Sequence, residues 1–273
     1  MIHCKSMKAV FRILKGVSYQ QGQMFVLSHF HDEKLSKFTY WKNRYKEGNQ
    51  EVFEWFVDPD EIVEPILNNI AHIQAQSTMP LRYIDIGCGL SDLSLHLTIH
   101  CPRPLSAVIV DFVSEALQYQ NKSYVEYQQM IQLRSESTQH LVCADVLHLP
   151  FRDGGFDVAI DKGTMDALMK DKVQGHFKSG LMMGEVIRLL IPGGRYLQIS
   201  DEDPDSRLLF LENISTRKHD CDERVKDNHR EATKATTNFH EQMKLNHKLS
   251  SWKFKSIQSK SGSEYFLYWA ERL

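Results

Sequence analysis

Short apolar runs alternate with helix-like segments between residues 81 and 200, and this alternation constrains the fold more than any other feature. The apolar runs span residues 81–86, 106–110, 140–144, 156–160 and 195–200, and the segments 92–99, 113–132 and 176–190 have helical character. Strands separated by helices of this length form βαβ units around a parallel sheet. The sequence therefore predicts an α/β fold in which Pro192-Gly193-Gly194 ends the helix at 176–190.

The C-terminal part of the chain departs from this alternation. Residues 252–257 and 264–270 are two β-rich runs joined by Ser-Lys-Ser-Gly-Ser, which is typical of a hairpin. We therefore expect a mostly parallel sheet that ends in an antiparallel C-terminal hairpin. The polar stretch at about 213–250 is predicted to be a partly ordered insertion in a single domain that spans residues 36–273.

Overall composition excludes several classes of protein. The chain has 273 residues with 33 Lys and Arg against 35 Asp and Glu, so its net charge of -2 gives no general attraction to nucleic acid. No apolar run reaches the ~18 residues that a membrane-spanning helix needs. The five cysteines form no C-x-x-C pair, which favours reduced thiols in an intracellular compartment. We predict neither a nucleic-acid partner nor a membrane partner.

The N-terminal segment is basic and contains no acidic residue before Asp32. Lys5, Lys8, Arg12 and Lys15 are spaced so that they would share one face of a helix. A basic amphipathic N-terminus without acids is typical of a mitochondrial transit peptide, and a surface helix or a disordered tail is the alternative. We assign residues 1–35 to a transit peptide and disordered N-terminus, and we expect the protein in the mitochondrial matrix.

A glycine motif follows the first apolar run, in the order Asp85-Ile86-Gly87-Cys88-Gly89. Gly87 and Gly89 would let a ligand approach the backbone where a Cβ atom would clash. A dinucleotide-binding fingerprint requires a third glycine three residues after Gly89, and Asp92 occupies that position. The motif therefore favours S-adenosylmethionine, which has no pyrophosphate, over NAD.

Acidic residues end the next two predicted strands. Asp111 lies 22 residues after Gly89 and is placed to accept hydrogen bonds from both ribose hydroxyls of an adenosine, and Phe112 can pack on the adenine. Asp145 can accept from the adenine amino group, and the Val146 amide can donate to a ring nitrogen. Each aspartate alone could be a turn residue or a helix cap. Together with the glycine motif they predict a cofactor site at the carboxyl edge of the sheet.

These segments resemble a known family. The series DIGCGLSDL, VDF, ADVLHLPF, FDVAIDKGTMDAL and LIPGGRYLQIS is similar to the class I, seven-β-strand methyltransferases, which have a Rossmann-like fold. Residues 161–168, DKGTMDAL, resemble the signature of the protein-lysine methyltransferases that act on elongation factor 1A and citrate synthase, and YWKNRY at 40–45 and FEWF at 53–56 match further elements of that group. Residues 198–207 resemble the fifth-strand end of its mitochondrial citrate synthase members.

The resemblance implies a cofactor site and an activity. Trp41, Tyr45 and Trp55 would close over S-adenosylmethionine, Gly87 would pass beneath its methionine part, and Lys162 would border that end. The implied activity is protein-lysine N-methylation, with citrate synthase as the expected substrate.

Acidic residues after the fourth and fifth strands could receive the substrate lysine. Asp161 and Asp166 follow the fourth strand and are the candidate catalytic residues, because a carboxylate can bind and orient an incoming ammonium group. Asp201, Glu202 and Asp203 follow the fifth strand and would form a negative rim that binds a basic protein segment. A solvated turn that caps the next helix is the alternative for this rim.

Other functions stay open at this point. The substrate could be elongation factor 1A or a small molecule, and the chain could also be a non-catalytic binding or assembly protein on a methyltransferase fold. We predict no metal site, because the histidines at 219, 229, 240 and 247 fit no spacing of metal ligands.

Overall fold

Seven strands form one sheet in the part of the chain that the computed structural model describes, which comprises residues 33–46, 54–73, 78–131, 136–216 and 249–273. The strands are β1 (Leu81–Ile86), β2 (Leu105–Asp111), β3 (Thr138–Cys143), β4 (Phe156–Lys162), β5 (Leu190–Ser200), β6 (Lys253–Gln258) and β7 (Glu264–Glu271). Their order is β3-β2-β1-β4-β5-β7-β6. Strands β1 to β5 are mutually parallel, whereas β7 is antiparallel to both β5 and β6. The predicted fold class, including the antiparallel hairpin, is confirmed.

The helices occupy both faces of this sheet. They are α1 (Phe38–Lys46), α2 (Pro59–Ile70), α3 (Leu93–His100), α4 (Ser114–Ile131), α5 (Thr164–Met169), α6 (Gly175–Leu189) and α7 (Pro204–Thr216), and a 3-10 helix at Glu33–Ser36 precedes α1. Tyr83 packs in a core with α2 and α3, whereas its neighbour Ile84 packs in a second core with α6. Successive strand residues point to opposite faces, so β1 carries buried apolar side chains on both faces because both are covered by helices.

The start of β5 differs from the prediction. We expected Pro192-Gly193-Gly194 to separate a helix from a strand at 195–200, but α6 ends at Leu189 and β5 runs from Leu190. Phe156 pairs with Leu190 and Val158 pairs with Arg195, so the intervening residues form an irregularity in the strand. Gly193 has a φ of 78°, a value that glycine adopts without strain. The residues that were predicted to break the helix therefore lie inside a strand.

Two predicted boundaries also differ from the structure. Leu35, which we placed in the N-terminal segment, is 5% exposed, and its carbonyl accepts a 2.7 Å hydrogen bond from the Trp41 indole. Helix α7 extends to Thr216 and thus includes the first residues that we assigned to the insertion. The basic residues at 5–15 and the rest of the insertion, 217–248, lie outside the described residues. Within the described parts, no helix is both long and apolar enough to cross a membrane.

Candidate active site

Gly87 lies at the carboxyl end of β1, where helix α5 comes closest to the sheet. The Thr164 hydroxyl donates a 2.8 Å hydrogen bond to the Ile86 carbonyl. A Cβ atom on Gly87 would be 2.1 Å from Thr164 Oγ1, and the φ of Gly87 is 70°. Both observations require glycine here. Packing against Thr164 therefore requires glycine here, and the predicted approach of the cofactor to Gly87 stays a prediction.

Asp111 ends β2 and is hydrogen-bonded to the glycine loop. Its Oδ2 accepts from the Gly89 amide at 2.9 Å, and its Oδ1 accepts from the Val113 amide at 2.8 Å. Each carboxylate oxygen has a further lone pair, so the group can still accept from two hydroxyls. Burial raises the pKa of Asp111 to about 6, although the backbone hydrogen bonds oppose that shift. The carboxyl is therefore ionised at neutral pH and able to accept from a ribose.

The aromatic residues predicted to close over the cofactor come together beside this loop. The Trp41 ring lies 5.7 Å from that of Tyr45 and 5.8 Å from that of Trp55, and all three pack in one cluster with Phe112. A Cβ atom on Gly89 would lie 3.0 Å from the Tyr45 hydroxyl. Burial, and then the charge of Asp111, raise the pKa of Tyr45. The cluster thus lies against the glycine loop and Asp111.

Glu54 is a residue of this site that the sequence analysis missed. One carboxylate oxygen of Glu54 pairs with the Lys162 ammonium, and the other accepts a 2.8 Å hydrogen bond from the Asp92 amide. The side chains of Lys162 and Glu54 are only 4% and 14% exposed. Glu54 therefore ties the aromatic segment to the end of β4 and to the start of α3. The position of Glu54 inside the FEWF element is the sequence feature that could have identified it as a site residue.

Asp145 and Val146 follow β3, which pairs with β2 so that Cys143 lies opposite Asp111. Asp145 is exposed, and its Oδ1 accepts a 3.0 Å hydrogen bond from the Leu147 amide. Val146 is buried. This arrangement brings both residues of the predicted adenine contacts to the end of the strand beside Asp111.

The Asp161 carboxylate is buried among hydrogen-bond donors of the protein. It is 0% exposed and accepts hydrogen bonds from the Thr164 amide, the Tyr196 hydroxyl and the Gln198 amide at 2.8, 3.1 and 2.9 Å. Burial, and then the neighbouring charge of Asp166, raise the pKa of Asp161 to about 6. All of these hydrogen-bond donors to the Asp161 carboxylate belong to the protein itself. This arrangement favours a role of Asp161 in holding β4, α5 and β5 together over contact with a substrate.

Asp166 differs from Asp161 in having a carboxylate oxygen for which the described residues provide no hydrogen-bond donor. Its Oδ1 accepts a 2.7 Å hydrogen bond from the Ser200 hydroxyl and pairs with the Arg207 guanidinium. Its Oδ2 is buried and has no hydrogen-bond partner among the described residues. A buried carboxylate oxygen without a donor is unfavourable unless a ligand supplies one. Of the two predicted catalytic residues, Asp166 is therefore the one whose carboxylate keeps a buried oxygen without a donor among the described residues.

The predicted acidic rim joins β5 to α7. Asp201, Glu202 and Asp203 are all exposed. Partial burial of its carboxyl, and then the charge of Asp166, raise the pKa of Asp201, so these two groups are electrostatically coupled. The Asp203 carboxylate instead accepts from the Asp205 and Ser206 amides at 2.9 and 3.2 Å. Asp203 therefore caps α7. Asp201 and Glu202 remain as the rim residues that are candidates for contact with a substrate.

The mostly parallel sheet, with the glycine loop and Asp111 at the carboxyl ends of β1 and β2, is an α/β fold of the kind that binds ligands at this edge. Residues 78–264 match the methyltransferase-domain family, and the chain belongs to that family. Its cofactor is S-adenosylmethionine, which supplies a methyl group on a positively charged sulfur. The residues present fit this group, because Asp111 retains acceptor capacity and, among the described residues other than its chain neighbours, only the Tyr45 side chain lies within 4 Å of the position that a Cβ atom on Gly89 would occupy. The predicted family and cofactor are confirmed.

Two relatives with assigned names are lysine methyltransferases. The chain is 34% identical over 170 residues to the mitochondrial citrate synthase-lysine N-methyltransferase of Homo sapiens, an alignment that covers 60% of this chain and 69% of the relative. It is 30% identical over 178 residues to EEF1A lysine methyltransferase 4 of Mus musculus, covering 62% of each. A crystal structure of an S-adenosylmethionine-dependent methyltransferase from Methanosarcina mazei aligns with a TM-score of 0.47 at 18% identity, covering 77% of this chain and 97% of that one. The predicted enzyme class, an S-adenosylmethionine-dependent protein-lysine N-methyltransferase, is the class of the first two relatives.

Proposed function

We propose that this enzyme methylates a lysine side chain of citrate synthase in the mitochondrial matrix. The observation that carries the proposal is the buried Asp166 Oδ2, which has no hydrogen-bond donor among the described residues and lies beside the end of β5. A lysine ammonium supplies the missing donor and the compensating charge. Citrate synthase is the protein named in the relative that is 34% identical to this chain.

The chain's residues have two tasks in such a reaction. The first is to bind the ammonium, and Asp166 and Asp201 provide coupled negative charge for this purpose. The second is to align the neutral amine, because methyl transfer is an in-line displacement that depends on position. The amine nitrogen forms a bond to the methyl carbon, the carbon–sulfur bond breaks, and its electron pair stays on sulfur. The ammonium proton leaves to water before the transfer, which costs roughly 3 kcal/mol near pH 8 for a lysine of pKa ~10.4.

A direct assay tests the substrate. The full chain is incubated with labelled S-adenosylmethionine and purified citrate synthase, and in a parallel reaction with purified elongation factor 1A, because the mouse relative is named for that substrate. We expect the label on a lysine of citrate synthase. Label on elongation factor 1A alone would replace the substrate but keep the lysine chemistry. Cofactor binding without label on either protein would favour a small-molecule substrate or a non-catalytic role.

The acidic rim should contribute to capture of the protein substrate. We expect Asp201→Asn combined with Glu202→Gln to raise KM for citrate synthase while leaving the affinity for S-adenosylmethionine unchanged. Each exposed pair contributes only about 0.5 kcal/mol, but burial beneath a bound protein increases the combined effect. The measurement is turnover at two salt concentrations with the cofactor saturating.

The salt dependence and a neighbouring residue provide the controls. The loss should shrink as salt rises, because screening already weakens the rim of the unsubstituted enzyme. Asp203→Asn is the matched variant, because its side-chain oxygen can still cap α7. Equal KM values for the double variant and the unsubstituted enzyme at low salt would remove the rim from substrate capture.

The proposed mitochondrial location of the protein can be tested separately from its methyltransferase activity. We expect a fluorescent fusion of the full chain to enter mitochondria and a fusion that lacks residues 1–31 to remain outside, because the deletion removes all four basic residues of the proposed transit peptide. Imaging of both fusions measures this. Import of the shortened fusion would show that the targeting information lies elsewhere.

A further inference from the structure

Two histidines and an aspartate meet on the outer side of helices α2 and α3. Asp60 lies in the first turn of α2, and His96 and His100 are four residues apart on α3. Residues at this spacing lie on the same face of a helix. One ligand atom from each of the three side chains lies within 4.8 Å of the other two, and the His96 Nδ1 is 3.0 Å from the Asp60 carboxylate.

We propose that Asp60, His96 and His100 bind a divalent transition-metal ion, with zinc as the expected metal. Two imidazoles and one carboxylate are a ligand set that zinc accepts, and a solvent molecule can complete a four-coordinate site. With metal–ligand distances near 2.0 Å, tetrahedral ligand atoms lie about 3.3 Å apart. The contact of 3.0 Å between His96 and Asp60 is already close to that spacing, and a ligand atom of His100 lies within 4.8 Å of both.

The electrostatic surroundings and the accessibility both suit a cation. Besides Asp60, the carboxylates of Asp92 and Glu54 are near enough to His96 to interact with it. The Asp60 side chain is 50% exposed and the His96 side chain is 8% exposed, while His100 is exposed. The site therefore has one buried candidate ligand, His96, and two candidate ligands, Asp60 and His100, that an ion can reach from solvent.

A pairwise polar contact between His96 and Asp60 without a metal ion is the simpler explanation for their 3.0 Å separation, and His100 distinguishes the two explanations. The pairwise contact requires only His96 and Asp60. A metal site requires His100 as well, whose ring centre is 6.2 Å from that of His96. Removing the His100 imidazole therefore leaves the pairwise contact in place and removes a metal ligand.

A bound ion would connect α2 to the helix that follows the cofactor loop. Helix α3 starts directly after Asp92, whose amide is held by Glu54. An ion that binds only the folded protein stabilises it in proportion to the logarithm of the free metal concentration. Zinc should therefore raise the unfolding temperature of the cofactor-free protein, and this readout is independent of the methyltransferase activity and of its substrate.

The test is a calorimetric titration of zinc chloride into the full chain, together with thermal unfolding with and without zinc. The variants are His100→Ala and Asp60→Asn, both at exposed positions, and His140→Ala is the control, because His140 is an exposed histidine on β3. We expect each of the first two variants to lose one binding site or to bind it more than about tenfold more weakly, since even the loss of a group behind a metal ligand costs about 10–100-fold.

The same variants should lose the rise in unfolding temperature, whereas His140→Ala should retain both the site and the rise. The proposal is overturned if the unsubstituted chain binds no zinc. It is also overturned if His100→Ala and Asp60→Asn bind zinc as the unsubstituted chain does, because the ion would then be held by other residues. The circular dichroism spectrum of each variant establishes that it is folded before the titration.

Discussion

Replacing Asp111 with alanine should weaken the binding of S-adenosylmethionine by about 30- to 150-fold. The substitution removes a charged acceptor for two ribose hydroxyls, and bonds of this kind contribute about 2–3 kcal/mol. It also releases the Gly89 amide, which the Asp111 carboxylate accepts from at 2.9 Å in the cofactor-free protein. Calorimetric titration with the cofactor measures the change, and the unfolding temperature of the variant establishes that the fold is retained.

The pH dependence of the same binding step identifies the carboxylate as the cause. Burial raises the pKa of Asp111 to about 6, so the group is ionised above this value and protonated below it. Cofactor affinity should be constant between pH 7 and pH 8, which lie above that pKa, and should fall about tenfold for each unit below it. Asp85 and Asp161 also have a pKa raised to about 6 by burial, so the Asp111→Ala variant is the necessary comparison. A similar fall in that variant would assign the effect to another group.

The fold was predictable because its main signals are local. Apolar runs that alternate with helices specify βαβ units, and the sequence of β1 indicates that both of its faces are buried. The glycine motif and the strand-end acids also follow from local sequence, because parallel strands bring their carboxyl ends to one edge of the sheet. The start of β5 was missed because Pro192 and two glycines are typical of a helix end, whereas pairing with β4 carries the strand through them.

The partners of the site residues were not predictable in the same way. Thr164 is 77 residues from Gly87, and Glu54 is 108 residues from Lys162. Nothing in the local sequence reports which distant side chain will share a site. Arg207 is a further example, because it is 3% exposed and pairs with Asp166, which lies 41 residues earlier. The structure thus distinguishes the contacts of Asp161 and Asp166, which the sequence treated as equivalent candidates.

Replacing Asp166 with asparagine should lower turnover on citrate synthase by about 100-fold, with cofactor affinity nearly unchanged. The Ser200 hydroxyl can still donate to the asparagine oxygen, but the negative charge that would bind and orient the lysine is lost. Misplacement of a reacting group by about 1 Å is sufficient for a loss of this size. Turnover with saturating cofactor and the affinity for S-adenosylmethionine are measured on the same preparation.

The buried charge of Arg207 must be separated from this effect. Asp166→Asn leaves the Arg207 guanidinium, which is 3% exposed, without its counter-ion, and breaking such a pair destabilises a protein by about 3–5 kcal/mol. Combining it with Arg207→Met removes the uncompensated charge, so the double variant should recover most of the free energy of unfolding. We expect turnover to stay low in the double variant, because the ammonium still lacks its carboxylate. Recovery of both stability and turnover would mean that Asp166 serves only as the counter-ion of Arg207, and the lysine would then have to be oriented by Asp201 and its neighbours on the rim.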